Sequence, residues 1–401
     1  MNDTKKKVLL AFSGGLDTSY CVVYLRHELG LDVHTAIVQT GGFTEEELQN
    51  IEQRALALGA SSHTTIDETS ALYSECLRFL VFGNVLKNNT YPLSVSAERV
   101  FQARAIARLA SEGGYQYVAH GSTGAGNDQV RFDVVFRTAL PDTEILTPIR
   151  DNKLSREDEI SYLKSKGVEG DWTKAQYSIN QGIWGTTIGG RETLSSSQPL
   201  PSEAYPSQCT NTEPQTLHLH FERGEFVGLN GTRYDHPVDA IRELARIAGA
   251  YAIGRDIHVG DTIIGTKGRV AFEAAAPLMI IKAHHALEKH TLTRWQLNLK
   301  DQMSLWYGQL LHEGQFAEPA MRSIEAFFAD TQVPVSGIVH VECAPYRFSV
   351  SGVDSPSDMM RSEFGSYGEM NTLYTGDDVR GYSRIVSNQS RIYQAVNGDR
   401  S

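Results

Sequence analysis

At 401 residues, 41% hydrophobic and 21% charged, the chain exceeds one ordinary core and has the make-up of a globular protein of two or three domains. Lys and Arg total 37 against 48 Asp and Glu, a formal net charge of −11 that disfavours a grip on a nucleic-acid backbone. The four cysteines form no Cys-x-x-Cys pair, so neither structural zinc nor a disulfide framework is expected, and no run of about 18 apolar residues offers a membrane span. Residues 1–7 lead into the first strand without a signal-type apolar region, which predicts a cytoplasmic protein.

Residues 7–12 form an apolar run that predicts a buried strand. It breaks at Ser13-Gly14-Gly15-Leu16-Asp17-Thr18-Ser19, and a helix is predicted to follow through Tyr20 to Leu29, ended by Gly30. Gly14 and Gly15 permit positive φ, and the N–H groups and dipole of the helix start favour negative charge, so the elbow reads as a phosphate site. Its spacing fits neither a Walker A loop nor Gly-x-Gly-x-x-Gly. A plain strand-to-helix turn is the competing reading of these seven residues. Their position after the first strand, where doubly wound sheets bind ligands, favours the phosphate site.

Residues 31–39 read as a second strand. Thr44 and Glu47 form a capping box for a helix with Leu48, Ile51, Ala55 and Leu58 on one face, and residues 63–66 read as a third strand. A helix is predicted over 98–112, with Val100, Ala103, Ala107 and Ala110 at helical spacing, followed by a strand over 115–119. That strand runs into His120-Gly121-Ser122-Thr123-Gly124-Ala125-Gly126-Asn127-Asp128-Gln129-Val130-Arg131-Phe132, a dense polar array at a strand end. An Asx turn at Asn127-Asp128 with Arg131 as a surface cation is the plainer alternative. Residues 155–166 read as the last helix of an α/β domain whose parallel sheet is covered on both faces.

Beyond about residue 168 the rhythm changes. Residues 195–214 read as irregular, 217–221 and 225–229 as a hairpin, 237–248 as a helix, 277–311 as helical, and 336–343 and 347–350 as strands. This predicts a mixed α+β second domain. His218 with His220, and His284, His285, Glu288 and His290, are imaginable metal clusters. They lack catalytic-zinc spacing and are expected to be solvated or hydrogen-bonded.

Together these motifs resemble the argininosuccinate synthase family, in the PP-loop ATP pyrophosphatase group. The resemblance rests on residues 11–19, Tyr91-Pro92-Leu93-Ser94-Val95-Ser96-Ala97-Glu98-Arg99, residues 123–132, Tyr177-Ser178, and Ile264-Gly265-Thr266-Lys267-Gly268-Arg269. Tyr374-Thr375-Gly376-Asp377-Asp378 completes the order. It covers about residue 7 to about residue 395. It implies a PP-loop nucleotide-binding domain over 1–168, a synthetase and multimerisation domain over 169–360, and a C-terminal arm over 361–401 that joins a homotetramer.

The implied activity is carbon–nitrogen ligation in arginine biosynthesis: ATP-dependent condensation of citrulline with aspartate through a citrullyl-adenylate, releasing AMP and diphosphate, with Mg2+ on the ATP. Nucleic-acid and membrane partners are not implied. Ala11, Phe12, Ser13, Gly14, Gly15, Leu16, Asp17, Thr18 and Ser19, with Val38 and Gly121, match ATP-binding positions. Thr123, Asn127 and Asp128 match aspartate-binding positions. Tyr91, Ser96, Asn127, Arg131, Ser178 and Thr187 match citrulline-binding ones, Thr187 standing where serine is usual. Asp128 and Asp17 are the implied catalytic residues, Asp128 as a proton acceptor for the amine, and no protein metal ligand is implied.

Two positions depart from the pattern. Gly260 and Phe272 fall at citrulline-binding positions where the family usually has glutamate and tyrosine. One expectation is an altered amino-acid end that takes N-acylated citrulline; the other is that Asp261 or Glu273 supplies the carboxylate. Were 257–263 a strand, Asp261 would face away from Gly260. A tRNA-modifying PP-loop enzyme and a non-enzymatic nucleotide-binding module are the rivals, and neither accounts for the acidic charge and the 123–131 array together.

Overall fold

The computed structural model describes residues 5–170, 172, 177–361, 367–368 and 373–398. Strands β1 (Lys7–Ala11), β2 (Asp32–Gln39), β3 (Ser62–Asp67), β4 (Tyr117–His120) and β5 (Glu144–Leu146) form one sheet in the order β3-β2-β1-β4-β5. Every pairing is parallel. Side chains alternate across β1, so Val8 and Leu10 enter the core under the Leu16–His27 helix while Leu9 enters the core under the Ser94–Glu112 helix. The chain winds outward from β1 to β3 and then returns to the other side of β1. The carboxyl ends of β1 and β4 therefore border the crevice where such sheets bind ligands.

The expected capping box is present, with Thr44 Oγ1 accepting from Glu47 N and Glu47 accepting from Thr44 N at 2.8 Å. Several bounds differ from expectation. The helix expected over 98–112 starts four residues earlier, at Ser94, following Leu93 at φ +62°. A left-handed leucine is strained, and it is held here by complete burial. Several helices lie outside the expected elements. Residues 69–82 form a run with a π-helical middle, Tyr73–Leu77, and the Asp128–Ala139, Pro148–Asp151, Pro319–Thr331 and Gly376–Asn397 helices are further examples.

The remaining strands are antiparallel. β8 (Gln215–Glu222), β9 (Glu225–Leu229), β10 (Thr232–Arg233), β13 (Gly337–Ala344) and β14 (Arg347–Asp354) order as β10-β9-β8-β13-β14. β6 (Ser178–Gly182), β7 (Gly185–Gly189), β11 (Arg255–Asp261) and β12 (Lys267–Glu273) order as β11-β12-β7-β6. The β6–β7 hairpin packs on the Ser94–Glu112 helix and is tied to the end of β2, where Ile183 N donates to Thr40 O at 2.9 Å. That docking places the smaller sheet over the crevice of the parallel one.

The suspected histidine clusters are held by hydrogen bonds. His218 and His340 meet at 2.7 Å and His340 reaches Asp354 at 2.8 Å. His284 is buried between Asn84 and Gln332, while Glu288 pairs with Lys300. Among the described residues no helix is long and apolar enough to cross a membrane.

Candidate active site

A cleft of about 1090 Å³ lies between the carboxyl edge of the parallel sheet and the smaller antiparallel sheet. Its first end is backbone. Gly14 takes φ +78°, Gly15 precedes the Leu16–His27 helix without a side-chain cap, and Ser19 turns its hydroxyl back to Gly15 O at 2.7 Å. The first N–H groups of the helix are thereby left to an anionic ligand. Gly121, after β4, crosses this helix so closely that a Cβ would lie 3.1 Å from Thr18 Cγ2 and 3.3 Å from the backbone of Asp17 and Thr18. Only glycine passes there without displacing the loop.

Beside this end sits a carboxyl pair. Burial raises the Asp17 carboxyl against hydrogen bonds with its own backbone and Glu159, and burial with the nearby Asp17 charge raises Glu159 to about 8.

The second end is built of charged side chains. Asp128 begins its helix with Oδ2 accepting from Arg99 Nε at 2.9 Å and Oδ1 from Arg131 Nη1 at 3.0 Å. Arg99 extends to Gln102 at 2.9 Å and Asn180 at 2.6 Å. Arg131, only 4% exposed, also donates to Ser96 Oγ and to His312 O, both at 3.0 Å. Burial pushes the Asp128 carboxyl up, and the two guanidiniums more than reverse this, leaving it below the usual carboxylate range. Asn127 is fixed from the second domain, its Oδ1 accepting from Ile263 N at 2.8 Å.

The residues singled out in the sequence converge here. Most of the phosphate elbow, Val38, Tyr91, Ser96, Gly121, Thr123, Asn127, Asp128, Arg131, Ser178 and Thr187 border one cleft. Arg131 is a buried cation held by Asp128, Ser96 and His312, and Asn127 is no Asx turn but the residue before a helix. Gly14, Ser19, Gly260 and Phe272 stand behind the lining. Gly14 supports the loop through its carbonyl, which accepts from Arg54 at 2.7 Å. Phe272 is buried against the Tyr91 ring, 5.5 Å between centroids.

At Gly260 the structure decides one question. A Cβ there would lie 2.7 Å from His258 Nε2, so the imidazole of His258 fills the place of a side chain at 260. His258 stacks on Tyr91 at 5.3 Å, and burial lowers its pKa. Asp261 is on the outer face of β11, paired with Lys267 at 2.5 Å, and Glu273 is paired with Arg255 at 3.1 Å. Neither carboxylate compensates for the glycine.

Glu98, Arg99, Gln102, Asn180, His258 and His312 line the cleft without having been assigned by the sequence reading. Glu98 and Arg99 lay inside the quoted 91–99 motif, and a charged pair amid that helix's small-residue stripe was the available signal. His312 lies 181 residues from Arg131, and no local pattern marks it.

A parallel sheet with a glycine elbow at its switch point, closed by a second antiparallel domain bearing buried charge, defines an α/β nucleotide-dependent enzyme with two unlike substrate ends. Residues 7–169 match the family model described as the arginosuccinate synthase N-terminal HUP domain, and residues 177–393 match the arginosuccinate synthase C-terminal domain. The argininosuccinate synthase of Dictyoglomus thermophilum is 35% identical over 98% of this chain and 99% of its own length. Those of Methanocaldococcus jannaschii and Xanthomonas axonopodis pv. citri are each 35% identical, over 90% and 98% of this chain and 91% and 95% of their own lengths. The chain belongs to the argininosuccinate synthase family, whose members are carbon–nitrogen ligases.

Proposed function

We propose that the chain condenses citrulline with aspartate at the expense of ATP, releasing argininosuccinate, AMP and diphosphate. The observation that carries this reading is the pairing of an uncapped PP-loop helix with the Arg99–Asp128–Arg131 assembly at opposite ends of one cleft. A ureido group is a poor electrophile, so its oxygen must first become a leaving group. In this reading the elbow and Gly121 hold the ATP phosphates, and Val38 borders the adenine. The citrulline oxygen attacks the α-phosphorus and diphosphate departs. Tyr91, Ser96, Ser178 and Thr187 position citrulline with Arg131, and Thr123, Asn127 and Asp128 position aspartate, whose amine displaces AMP. Positioning and charge stabilisation supply the rate.

Magnesium fits this site as an ion held chiefly by phosphate oxygens and water, since the elbow offers backbone N–H groups and one carboxylate, Asp17. When bound it neutralises phosphate charge.

The family names favour free citrulline over an N-acylated one, and the formal net charge of −11 disfavours a tRNA substrate. Domain limits at 168 and 360, a cytoplasmic setting and a homotetramer belong to the same reading. In support of assembly, the Gly376–Asn397 helix buries none of its residues, and Tyr382, Ile385, Tyr393 and Val396 are all more than half exposed. Incubation with ATP, magnesium, citrulline and aspartate should yield AMP, diphosphate and argininosuccinate in equal amounts by mass spectrometry. Diphosphate release that requires tRNA, or needs no second substrate, would overturn the proposal.

A further inference from the structure

Asp128 is badly placed to take a proton. Each of its oxygens is held by a guanidinium, and a carboxylate so stabilised is a weak base. The cleft holds another carboxylate. Glu98 lies one turn into the Ser94–Glu112 helix, 1% exposed, and borders the cleft between Val95 and Gln102. Its Oε1 is sealed from solvent and has no hydrogen-bond partner among the described residues. The backbone of Gly182 packs directly on this carboxyl, and a Cβ there would collide with it. A buried carboxyl oxygen without a partner is costly to retain, and its presence beside a substrate cleft calls for a chemical reason.

We propose that Glu98 is the base that takes the proton from the incoming aspartate ammonium, while Asp128 orients Arg99 and Arg131 and pairs with the substrate's charge. This rests on the functional reading above. The step balances without a further reactant. The N–H proton passes to the Glu98 carboxylate, the freed lone pair forms the C–N bond to the citrullyl-adenylate, and the C–O bond to AMP breaks with its electron pair on AMP. Placement supports the assignment, because the charges facing Glu98 are Arg99 on its own helix and Asp128 across the cleft, with the Tyr91 hydroxyl nearby. The β6–β7 hairpin presents only the uncharged Asn180, Gln181 and Gly182 there. Burial foremost, opposed by the Arg99 charge and reinforced by repulsion from Asp128, moves the Glu98 carboxyl up to about 8. A base of that strength is matched to an ammonium at neutral to mildly alkaline pH.

The test uses the full-length E98Q and E98A variants, with positional isotope exchange in ATP reporting adenylation and argininosuccinate formation reporting the second step. Product formation should fall by about 100-fold or more while isotope exchange falls far less. The rise of wild-type turnover toward pH 8 should disappear, and E98D should restore part of both. Because the carboxyl is unpartnered, both variants should melt at or above the wild-type Tm, which a structural glutamate would not allow. Wild-type rates and an unchanged pH profile in E98Q, or equal loss of both half-reactions with a lowered Tm, would overturn the assignment. Aspartate-independent AMP release by the wild type would bring down the functional reading as well.

Discussion

The two ends of the cleft hold charge by opposite means. At the elbow, charge is met by backbone: Gly14 turns, Gly121 crosses at van der Waals distance, and the helix start is left uncapped. At the far end, Asp128, Arg99 and Arg131 fix one another, and Arg131 is anchored to the backbone of a helix end from the second domain. Backbone donors tolerate side-chain change but no added bulk. The ionic assembly tolerates bulk better than it tolerates the loss of one partner, because removal leaves an unpaired buried charge.

The comparison is broken first at the backbone end. Gly121→Val should depress kcat/KM for ATP by about 1000-fold, or about 4 kcal/mol, while citrulline binding measured by calorimetry is kept. Gly121→Ala, whose Cβ needs the loop to yield by a few tenths of an ångström, should cost about tenfold. Equal loss of ATP and citrulline binding in the valine variant would erase the distinction between the ends.

Asp128→Ala should lower product formation about 100-fold and stability by about 1–3 kcal/mol, discounted because the side chain is about a third exposed. Its folded pKa is depressed, so its contribution is complete above the ordinary value of 3.8 and is lost as pH falls through the lower folded value. Asp128 therefore contributes no slope between pH 5 and 8. Urea melts across that range, wild type against variant, should run parallel.

Arg131→Lys keeps the charge and loses the fork that spans Ser96, Asp128 and His312. KM for citrulline should rise about tenfold with a smaller change in kcat. Unaltered kinetics would mean that charge alone suffices at this end.

The smallest expected effect concerns His312. Burial, then the Arg131 and Lys87 charges, lower its pKa to about 4. Its stabilising contribution is whole above the unfolded value of about 6.5 and is lost as pH falls toward 4. Melts of wild type and His312→Gln should converge over that window by roughly 1–2 kcal/mol. A constant gap between them would show that the imidazole is not held neutral.

Legibility in the sequence followed the same division. The strand, elbow and helix at 7–29 are contiguous, so local chemistry specifies them, and the Thr44 capping box was readable for the same reason. The Asp128–Ala139 helix was missed because the glycines and hydroxyls before it obscure its start and Asn127 supplies no side-chain cap. The run over 69–82 is apolar around most of its circumference and carries a π-helical turn, which blurs the 3.6-residue period. Arg131 with His312, Asn127 with Ile263, and His258 in the space above Gly260 are tertiary meetings between distant segments. No window of sequence contains them. The expectation that Asp261 or Glu273 would replace a missing carboxylate failed on strand alternation and on their own ion pairs.

The central claim is that the elbow end activates the ureido oxygen by joining it to AMP before the charged end delivers the amine. The most direct measurement supplies citrulline labelled with 18O at the ureido position, with ATP, magnesium and aspartate, and reads the products by mass spectrometry. The account predicts one 18O in each AMP and none in diphosphate or argininosuccinate. Unlabelled AMP, or label found in phosphate beside ADP, would contradict it.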